Sequence, residues 1–151
     1  MNYFSLHSPL GELTLFEDDG KIISLDWGRV EGGSESPLLL KAAAQLEEYF
    51  DGDRENFDLP LAPHGTVFQR KVWDAMAAIP YGKVATYGQV AQALQSSPRA
   101  VGMACGRNPL PILIPCHRVL GSNGSLGGYS GLDGVETKRV LLRLEGFPLP
   151  E

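Results

Sequence analysis

The chain has 151 residues, 43% of them hydrophobic and 21% charged, and a formal net charge of −5. Its length is enough for one substantial core or two small ones, and its composition is typical of a globular protein, which excludes fibrous and disordered chains. No stretch approaches the roughly 18 apolar residues of a membrane span, and the first residues lack the basic and apolar regions of a signal peptide. We therefore expect a cytoplasmic protein with no membrane partner.

The two halves of the chain differ in charge. Residues 1–64 contain four basic and 13 acidic residues, a net charge of −9, whereas residues 65–151 contain nine basic and five acidic residues, a net charge of +4. Such an asymmetry indicates a nucleic-acid or membrane face on the basic half. The alternative, that two small domains differ only in their solvated surfaces, fits the charges equally well.

The first half has the pattern of a small sheet followed by a helix. Residues 2–27 contain short strand-like segments separated by the turn residues Pro9–Gly11 and Asp18–Gly20. Pro37 then begins a segment whose apolar residues recur at helical spacing and which Gly52 is expected to end. Residues 53–65 contain two prolines and a glycine and mark the predicted boundary. The predicted domains are residues 1–60 and residues 65–151.

The second half has the pattern of several short helices. The spacing Thr66-x-x-Gln69 is that of a capping box and predicts a helix that begins there. A short extended stretch, Lys83–Thr86, precedes an amphipathic helix over residues 87–94, and Ser97 is the predicted cap of a further helix, Pro98–Gly106. Two short helices joined by a tight turn predict a helix-turn-helix. The small residues of the second helix indicate either close approach to another surface or tight packing on a neighbouring helix.

The strongest chemical signal is the segment 108–119. Its apolar run Ile112–Ile114 predicts a buried strand bracketed by prolines. Cys116 follows, with His117 and Arg118 directly after it. Positive charge beside a thiol favours the thiolate, which is the nucleophilic form, so this pattern predicts a cysteine with a lowered pKa.

A regular strand would keep the histidine away from the cysteine. Adjacent residues of a strand point to opposite faces, so His117 reaches the thiol only if the chain turns at Pro115 or a water bridges the two groups. A histidine that takes up the thiol proton also needs a partner that fixes its tautomer, usually a carboxylate. Glu145, at the end of the last apolar helix, is the preferred candidate over Asp133 and Glu136.

Other interpretations of the cysteines are weaker. Cys116 alone fits an inert buried thiol, as most cysteines beside apolar runs are. Two cysteines eleven residues apart and one histidine do not have a usual zinc-ligand spacing, so we expect no metal. A cysteine peptidase would need an oxyanion-hole loop, and none is evident. A reducing cytosol disfavours a disulfide between Cys105 and Cys116.

The motif Ile-Pro-Cys116-His117-Arg118-Val119 resembles the active-site signature of the O6-alkylguanine-DNA alkyltransferases, also called methylated-DNA–protein-cysteine methyltransferases. The resemblance extends from Val67 to Gly146, and its blocks occur in the family's order with nearly its spacing. These blocks are Tyr81-Gly-Lys-Val, Thr86-Tyr87-Gly-Gln-Val-Ala, Arg99-Ala-Val-Gly102, Asn108-Pro, Gly128-Tyr129-Ser130-Gly131 and Leu144-Glu145-Gly146. The N-terminal half resembles the family only loosely, as a small sheet with a helix.

The resemblance implies a role for each matching residue. Cys116 resembles the acceptor that attacks the alkyl carbon, His117 the base that works through a water, and Glu145 the partner hydrogen-bonded to that base. Tyr87 resembles the residue that donates to the departing guanine and rotates the nucleotide out. Asn108 resembles the hinge between the recognition helix and the active-site strand. Taken singly, such residues also fit ordinary structural positions, but their shared order and spacing favour the functional roles.

The resemblance also implies the DNA contacts. Helix Pro98–Gly106 would enter the minor groove, with Arg99 filling the space that a flipped base vacates. The implied DNA-binding residues are Arg99, Ala100, Gly102, Tyr87 and Arg107. The implied pocket around the flipped base consists of Pro111, Val119, Tyr129, Ser130 and Gly131. After Ser130 the chain has Gly-Leu-Asp-Gly where the family often has two successive glycines before Leu, which leaves the tolerance of bulky adducts open.

The sequence therefore predicts an α+β protein: a small N-terminal sheet-plus-helix domain, then a helical, winged-helix-like (helix-turn-helix) DNA-binding domain that carries the active-site cysteine. The predicted activity is a single transfer of an alkyl group from O6 of guanine in double-stranded alkylated DNA to Cys116. A monomer without a cofactor is expected, in the cytoplasm and at the nucleoid if the source is bacterial.

Two alternatives come from other classes of protein. An alkyltransferase-like lesion sensor would bind and flag the base without transfer, but such proteins lack the acceptor cysteine, which this chain has. A winged-helix transcription factor would need base-contacting side chains on helix Pro98–Gly106, where this chain offers small residues and one arginine near the start.

Overall fold

The computed structural model describes residues 1–126 and 134–149. The chain divides into two units, Met1–His64 and Gly65–Glu151. The predicted α+β class is confirmed, since the first unit contains a sheet and a helix and the second contains helices with two very short strands. Within the described residues, no helix combines the length and the apolar composition that crossing a membrane requires.

An antiparallel sheet forms the first unit. Its strands are β1 (Asn2–Ser8), β2 (Gly11–Asp18) and β3 (Lys21–Trp27), in the order β1-β2-β3. The turn between β2 and β3 has positive φ at Asp19 (51°) and Gly20 (73°). Both central residues of this two-residue hairpin are therefore left-handed, which is the geometry that matches the twist of the flanking strands.

Helix α1 (Pro37–Phe50) covers this sheet. It begins where predicted, because the Ser36 hydroxyl accepts a hydrogen bond from the Leu39 amide at 3.1 Å and Pro37 takes a first position that needs no amide. On the inner face of this helix, the side chains of Leu39, Leu46 and Tyr49 are fully buried. Leu13 and Leu15 of strand β2 are fully buried as well. The core of the first unit therefore lies between α1 and the sheet.

Three helices form the framework of the second unit: α2 (Val67–Ala77), α3 (Tyr87–Leu94) and α4 (Pro98–Gly106). The predicted capping box of α2 is confirmed, with Thr66 accepting from the Gln69 amide at 3.0 Å and donating its own amide to the Gln69 side chain at 2.9 Å. An equivalent box joins Thr86 and Gln89 at the start of α3. Local sequence therefore determines where both helices begin.

Helices α3 and α4 form the predicted helix-turn-helix. Gln95, in the left-handed region at φ 55°, ends α3, and the Ser97 hydroxyl accepts from the Ala100 amide at 3.1 Å to begin α4. The buried Trp73 of α2 donates its indole N–H to the Ala104 carbonyl at 2.8 Å. This bond satisfies the one polar group of the indole and fixes α4 against α2.

The last elements are a 3₁₀ helix (Cys116–Arg118), strand β5 (Val119–Leu120) and helix α5 (Val135–Leu144). Strand β5 pairs in parallel with β4 (Ala85–Thr86). This two-stranded pairing joins the chain just before α3 to the chain just after the cysteine.

The prediction of a buried strand over Ile112–Ile114 is wrong. The segment is buried, but Ile112 has a positive φ of 74°, and the Ile114 amide donates to the Leu110 carbonyl at 2.8 Å. Pro111 and Pro115 lack the amide hydrogen that a strand ladder needs. The apolar run is therefore buried as a tight loop with locally paired backbone groups, and Asn108 joins α4 to a loop rather than to a strand.

Candidate active site

Cys116 lies at a turn in the chain. It is the first residue of the 3₁₀ helix, its side chain is buried, and its amide donates to the Ile114 carbonyl at 2.8 Å. Pro115 precedes it with φ −80° and ψ 69°. The chain therefore turns at Pro115, which was one of the two arrangements expected to bring the thiol and the next residue's imidazole to the same region.

His117 and Arg118 converge on one carboxylate. His117 Nε2 lies 2.7 Å from Glu145 Oε2. Arg118 donates from Nε to Glu145 Oε1 at 2.8 Å and from Nη2 to Oε2 at 3.0 Å, and its Nη1 donates to the Ile79 carbonyl at 2.6 Å. The side chains of His117 and Glu145 are 0% exposed. The predicted contact between His117 and Glu145 is thus present, inside a buried network in which the guanidinium compensates the carboxylate.

This network leaves one nitrogen of His117 to act as a base. Burial lowers the pKa of His117 below its ordinary value, and the charges of Arg118 and Lys138 lower it further. The hydrogen bond and charge of Glu145 oppose this shift without overcoming it. His117 is therefore neutral near pH 7 and donates from Nε2 to the carboxylate. Its Nδ1 is buried and has no hydrogen-bond partner among the residues that the structure describes. Nδ1 is then the atom that can take up a proton.

Tyr87 and Lys138 lie together near the cysteine. Lys138 Nζ is 5.6 Å from the centre of the Tyr87 ring, and it donates to the carbonyl oxygens of Val119, at 2.6 Å, and of Leu126. Burial, together with the charges of Cys105 and Cys116, raises the pKa of Tyr87 to about 12, so its hydroxyl stays protonated and able to donate.

Lys138 itself is fully buried. Burial lowers its pKa to about 8, while the nearby cysteine charges act in the opposite direction. A lysine ammonium at this place favours negative charge on a neighbouring thiol, because each stabilises the charge of the other.

Asn108 supports the loop that carries the cysteine. Its side-chain Nδ2 donates to the Ile114 carbonyl at 2.9 Å, and its Oδ1 accepts from the Leu110 amide at 2.9 Å. These two bonds connect the end of α4 to both ends of the tight loop. Asn108 therefore determines the position of the backbone just before Pro115 and Cys116.

Family profiles match both units. The profile described as "6-O-methylguanine DNA methyltransferase, DNA binding domain" matches residues 67–147, and that described as "6-O-methylguanine DNA methyltransferase, ribonuclease-like domain" matches residues 1–63. The chain belongs to the 6-O-methylguanine DNA methyltransferase family.

Individual relatives agree with this membership. The constitutive methylated-DNA–protein-cysteine methyltransferase of Bacillus subtilis is 44% identical over 165 residues, covering 100% of this chain and 99% of the relative. The methylated-DNA–protein-cysteine methyltransferase of Methanosarcina acetivorans is 40% identical, covering 97% of this chain and 99% of the relative. The crystal structure of the Mycobacterium tuberculosis protein OGT in complex with DNA has a TM-score of 0.86 and 39% identity, covering 96% of this chain and 92% of that one.

Within this family framework, the predicted site residues fall into two groups. Cys116, His117, Glu145, Pro111 and Val119 are buried, and Tyr87 and Asn108 are half-buried. Of the residues expected to contact DNA, Tyr87 begins α3 and the others lie on or beside α4, where Arg99 and Arg107 are exposed and Ala100 and Gly102 are half-buried. The remaining predicted pocket residues, Tyr129, Ser130 and Gly131, lie outside the described residues.

Two buried cations in this member of the family were not expected from the sequence. The sequence indicates Arg118 only as a charge beside the thiol, whereas in the structure its guanidinium binds Glu145. Lys138 was not singled out, although it stands on α5 at helical spacing from Leu141, Leu142 and Glu145 and so shares their buried face. A lysine on the apolar face of an amphipathic helix was the signal that could have identified it.

Cys105 has a structural environment. Its sulfur lies 3.3 Å from the sulfur of the buried Met76, and it is not joined to Cys116 in a disulfide. Burial raises the pKa of Cys105 to about 12, which keeps it in the unreactive thiol form. Within residues 1–126 and 134–149, no three His, Cys, Asp or Glu side chains are grouped so that they could hold a metal ion.

Proposed function

We propose that this protein repairs alkylated DNA by moving an alkyl group from O6 of guanine to Cys116. In the reaction, the Cys116 thiolate attacks the alkyl carbon, a sulfur–carbon bond forms, and the bond between that carbon and O6 breaks. The observation that carries the proposal is a buried hydrogen-bond network beside Cys116. In this network His117 and Arg118, which directly follow the cysteine, both bind the carboxylate of Glu145. Family membership supports the same reaction.

The thiol proton passes to His117 in this proposal. Glu145 accepts from Nε2 and is itself held by Arg118, so Nδ1 carries the lone pair. A water between the thiol and Nδ1 is sufficient to relay the proton. The imidazolium that forms is stabilised by the carboxylate of Glu145, as in other histidine–carboxylate pairs.

The leaving guanine accepts a hydrogen bond from the Tyr87 hydroxyl while its bond to the alkyl carbon breaks, and it then takes up a proton from water, so Tyr87 stays neutral. The pKa of about 12 keeps this hydroxyl protonated at neutral pH, and the ring is close to the buried ammonium of Lys138. Negative charge that develops on guanine during the displacement therefore meets a neutral donor. Stabilising charge only as it develops lowers the barrier of the chemical step.

We further propose that the base leaves the duplex before it reacts. A thiolate that is buried cannot reach O6 of a stacked base, so the nucleotide has to rotate out. Arg99, exposed near the start of α4, would fill the vacated space from the minor-groove side. The pocket for the flipped base would include Pro111 and Val119, together with Tyr129, Ser130 and Gly131. The active species would be a monomer in the cytoplasm.

The direct test is incubation with duplex DNA that contains one O6-methylguanine, followed by the intact mass of the protein. We expect a mass increase of one methyl group for the wild type, and none with a duplex of unmodified guanine or with Cys116→Ser. Cys116→Ser should still bind the duplex, because the DNA contacts proposed for Arg99 and Arg107 do not involve the thiol. Binding by the wild type without any mass increase would instead favour the lesion sensor.

A further inference from the structure

Met103 is an exposed apolar side chain on α4. It is 66% exposed, the largest exposed fraction among the large hydrophobic side chains described in the second unit. The opposite face of the helix is buried through Val101, Ala104 and Cys105. Met103 therefore lies outside the core of the second unit, and its side chain is accessible to a partner.

Two arginines flank this methionine. Arg99 lies four residues before Met103 and Arg107 four residues after it, and all three are exposed. Arg99 and Met103 are neighbours on one face of α4, because residues four apart on a helix lie side by side on its surface. Arg107 is the C-cap that directly follows α4 and adds a second exposed cation at the end of the helix. We refer to Arg99, Met103 and Arg107 as the α4 ridge.

The surroundings of the ridge favour a polyanion. The sequence contains no Asp or Glu between Asp74 and Asp133, a stretch that includes all of α3 and α4. A protein partner would have to bring acidic groups for both arginines and an apolar pocket for the methionine. Duplex DNA presents phosphates on both sides of a groove whose floor and deoxyribose walls are partly apolar, which matches the alternation along the ridge.

We propose that Met103 is an apolar contact to DNA, inserted into the groove between the phosphates or bases that Arg99 and Arg107 engage. It packs on deoxyribose and base edges beside the damaged nucleotide and stabilises the distorted duplex. An unbranched thioether adapts to an irregular surface, and proteins that distort DNA from the minor groove use such apolar side chains between base steps. The inference rests on the proposed function, because it requires that α4 faces DNA.

The first experiment compares Met103→Ala with Val140→Ala, both in the full chain. Val140 is 45% exposed and stands on α5, away from the ridge, so it is the matched control. For Met103→Ala we expect affinity for a duplex with one O6-methylguanine to fall about three- to tenfold, as loss of part of one buried methionine surface predicts. Val140→Ala should bind like the wild type. Equal affinity of Met103→Ala and wild type would overturn the proposal.

Salt dependence separates an apolar contact from an ionic one. Met103→Ala should leave the slope of log affinity against log salt concentration unchanged. Arg107→Ala should make that slope shallower by about 0.9, the contribution of one neutralised phosphate. Met103→Glu should lose far more affinity than Met103→Ala, because it places a carboxylate among phosphates. If Met103→Glu binds as well as Met103→Ala, the side chain does not enter the groove and the proposal is wrong.

A fluorescent base reports the insertion itself. With 2-aminopurine beside the lesion, the rise in fluorescence on saturation with protein should be smaller for Met103→Ala than for the wild type. The unfolding temperatures of the two should agree, since the side chain is exposed. If the wild type transfers no methyl group, the proposed function fails. If the wild type transfers the methyl group and Met103→Ala matches the wild type in affinity and fluorescence, only the proposed contact of Met103 with DNA is wrong.

Discussion

Arg118 binds both carboxylate oxygens of Glu145, the same carboxylate that accepts the hydrogen bond from His117. Adjacent residues of a strand would point in opposite directions, but successive residues of a 3₁₀ helix are about a third of a turn apart, so two neighbours can reach one acceptor. The turn at Pro115 therefore positions Cys116 and also brings the side chains of His117 and Arg118 to the carboxylate of Glu145.

Breaking the ion pair between Arg118 and Glu145 should destabilise the fold and slow methyl transfer. Arg118→Met removes the buried cation that binds both oxygens of the Glu145 carboxylate, and loss of one member of a buried ion pair costs about 3–5 kcal/mol of unfolding free energy. Urea unfolding measures the loss. Arg139→Met is the matched control, because the Arg139–Glu136 pair is more exposed and such pairs contribute at most about 1 kcal/mol. Equal effects of the two substitutions would contradict the account.

Protonation of His117 at acidic pH should lower the unfolding free energy of the protein. Because burial holds its pKa below 6.5, the unfolded chain takes up a proton at a higher pH than the folded chain does. The contribution of His117 to stability is then complete above the unfolded pKa and is lost as the pH falls through the folded pKa. Unfolding free energies measured at several pH values should fall more steeply below about pH 6.5 for the wild type than for His117→Gln. A wild type that gains stability on acidification relative to the variant would show a charged histidine instead.

Tyr87 should contribute both a hydrogen bond to the leaving base and the bulk of its ring. Tyr87→Phe removes the hydroxyl alone, and we expect single-turnover methyl transfer to slow by about 10²–10⁴-fold with DNA affinity mostly retained. Tyr87→Ala should be slower still, since it also removes the ring that packs beside Lys138. Rapid-quench measurement of methyl transfer distinguishes the two variants. Wild-type rates in both would show that Tyr87 takes no part in the reaction.

Asn108 should act by positioning the loop. Asn108→Ala leaves the buried Ile114 carbonyl and Leu110 amide without their side-chain partner, a loss of about 1–3 kcal/mol in unfolding free energy. Asn108→Asp keeps the acceptor for the Leu110 amide but sets a carboxylate oxygen against the Ile114 carbonyl, so it should lose at least as much stability as Asn108→Ala. Transfer should slow in both, while the exposed control Asn56→Ala should change neither property. Full activity of Asn108→Ala would show that the loop holds its position without this residue.

The sequence predicted the elements whose signals are local. The hydroxyls of Thr66 and Ser97 each accept a hydrogen bond from an amide in the first turn of the helix that follows, and both helices begin there. Ile112 was misassigned because an apolar run indicates burial and not backbone conformation. The binding of Arg118 to Glu145 depends on residues far apart in the chain, which no local pattern reveals.

The most direct test of the central claim is the number of methyl groups accepted per chain. The product at Cys116 is a thioether, which has no activated bond for water or a thiol to attack, and the high pKa of Cys105 keeps that residue unreactive. With duplex O6-methylguanine in excess, we predict that transfer stops at one methyl group per chain, that peptide mapping places it on Cys116, and that Cys105→Ala behaves in the same way. Repeated turnover, a methyl group on Cys105, or full activity of Cys116→Ser would contradict the account.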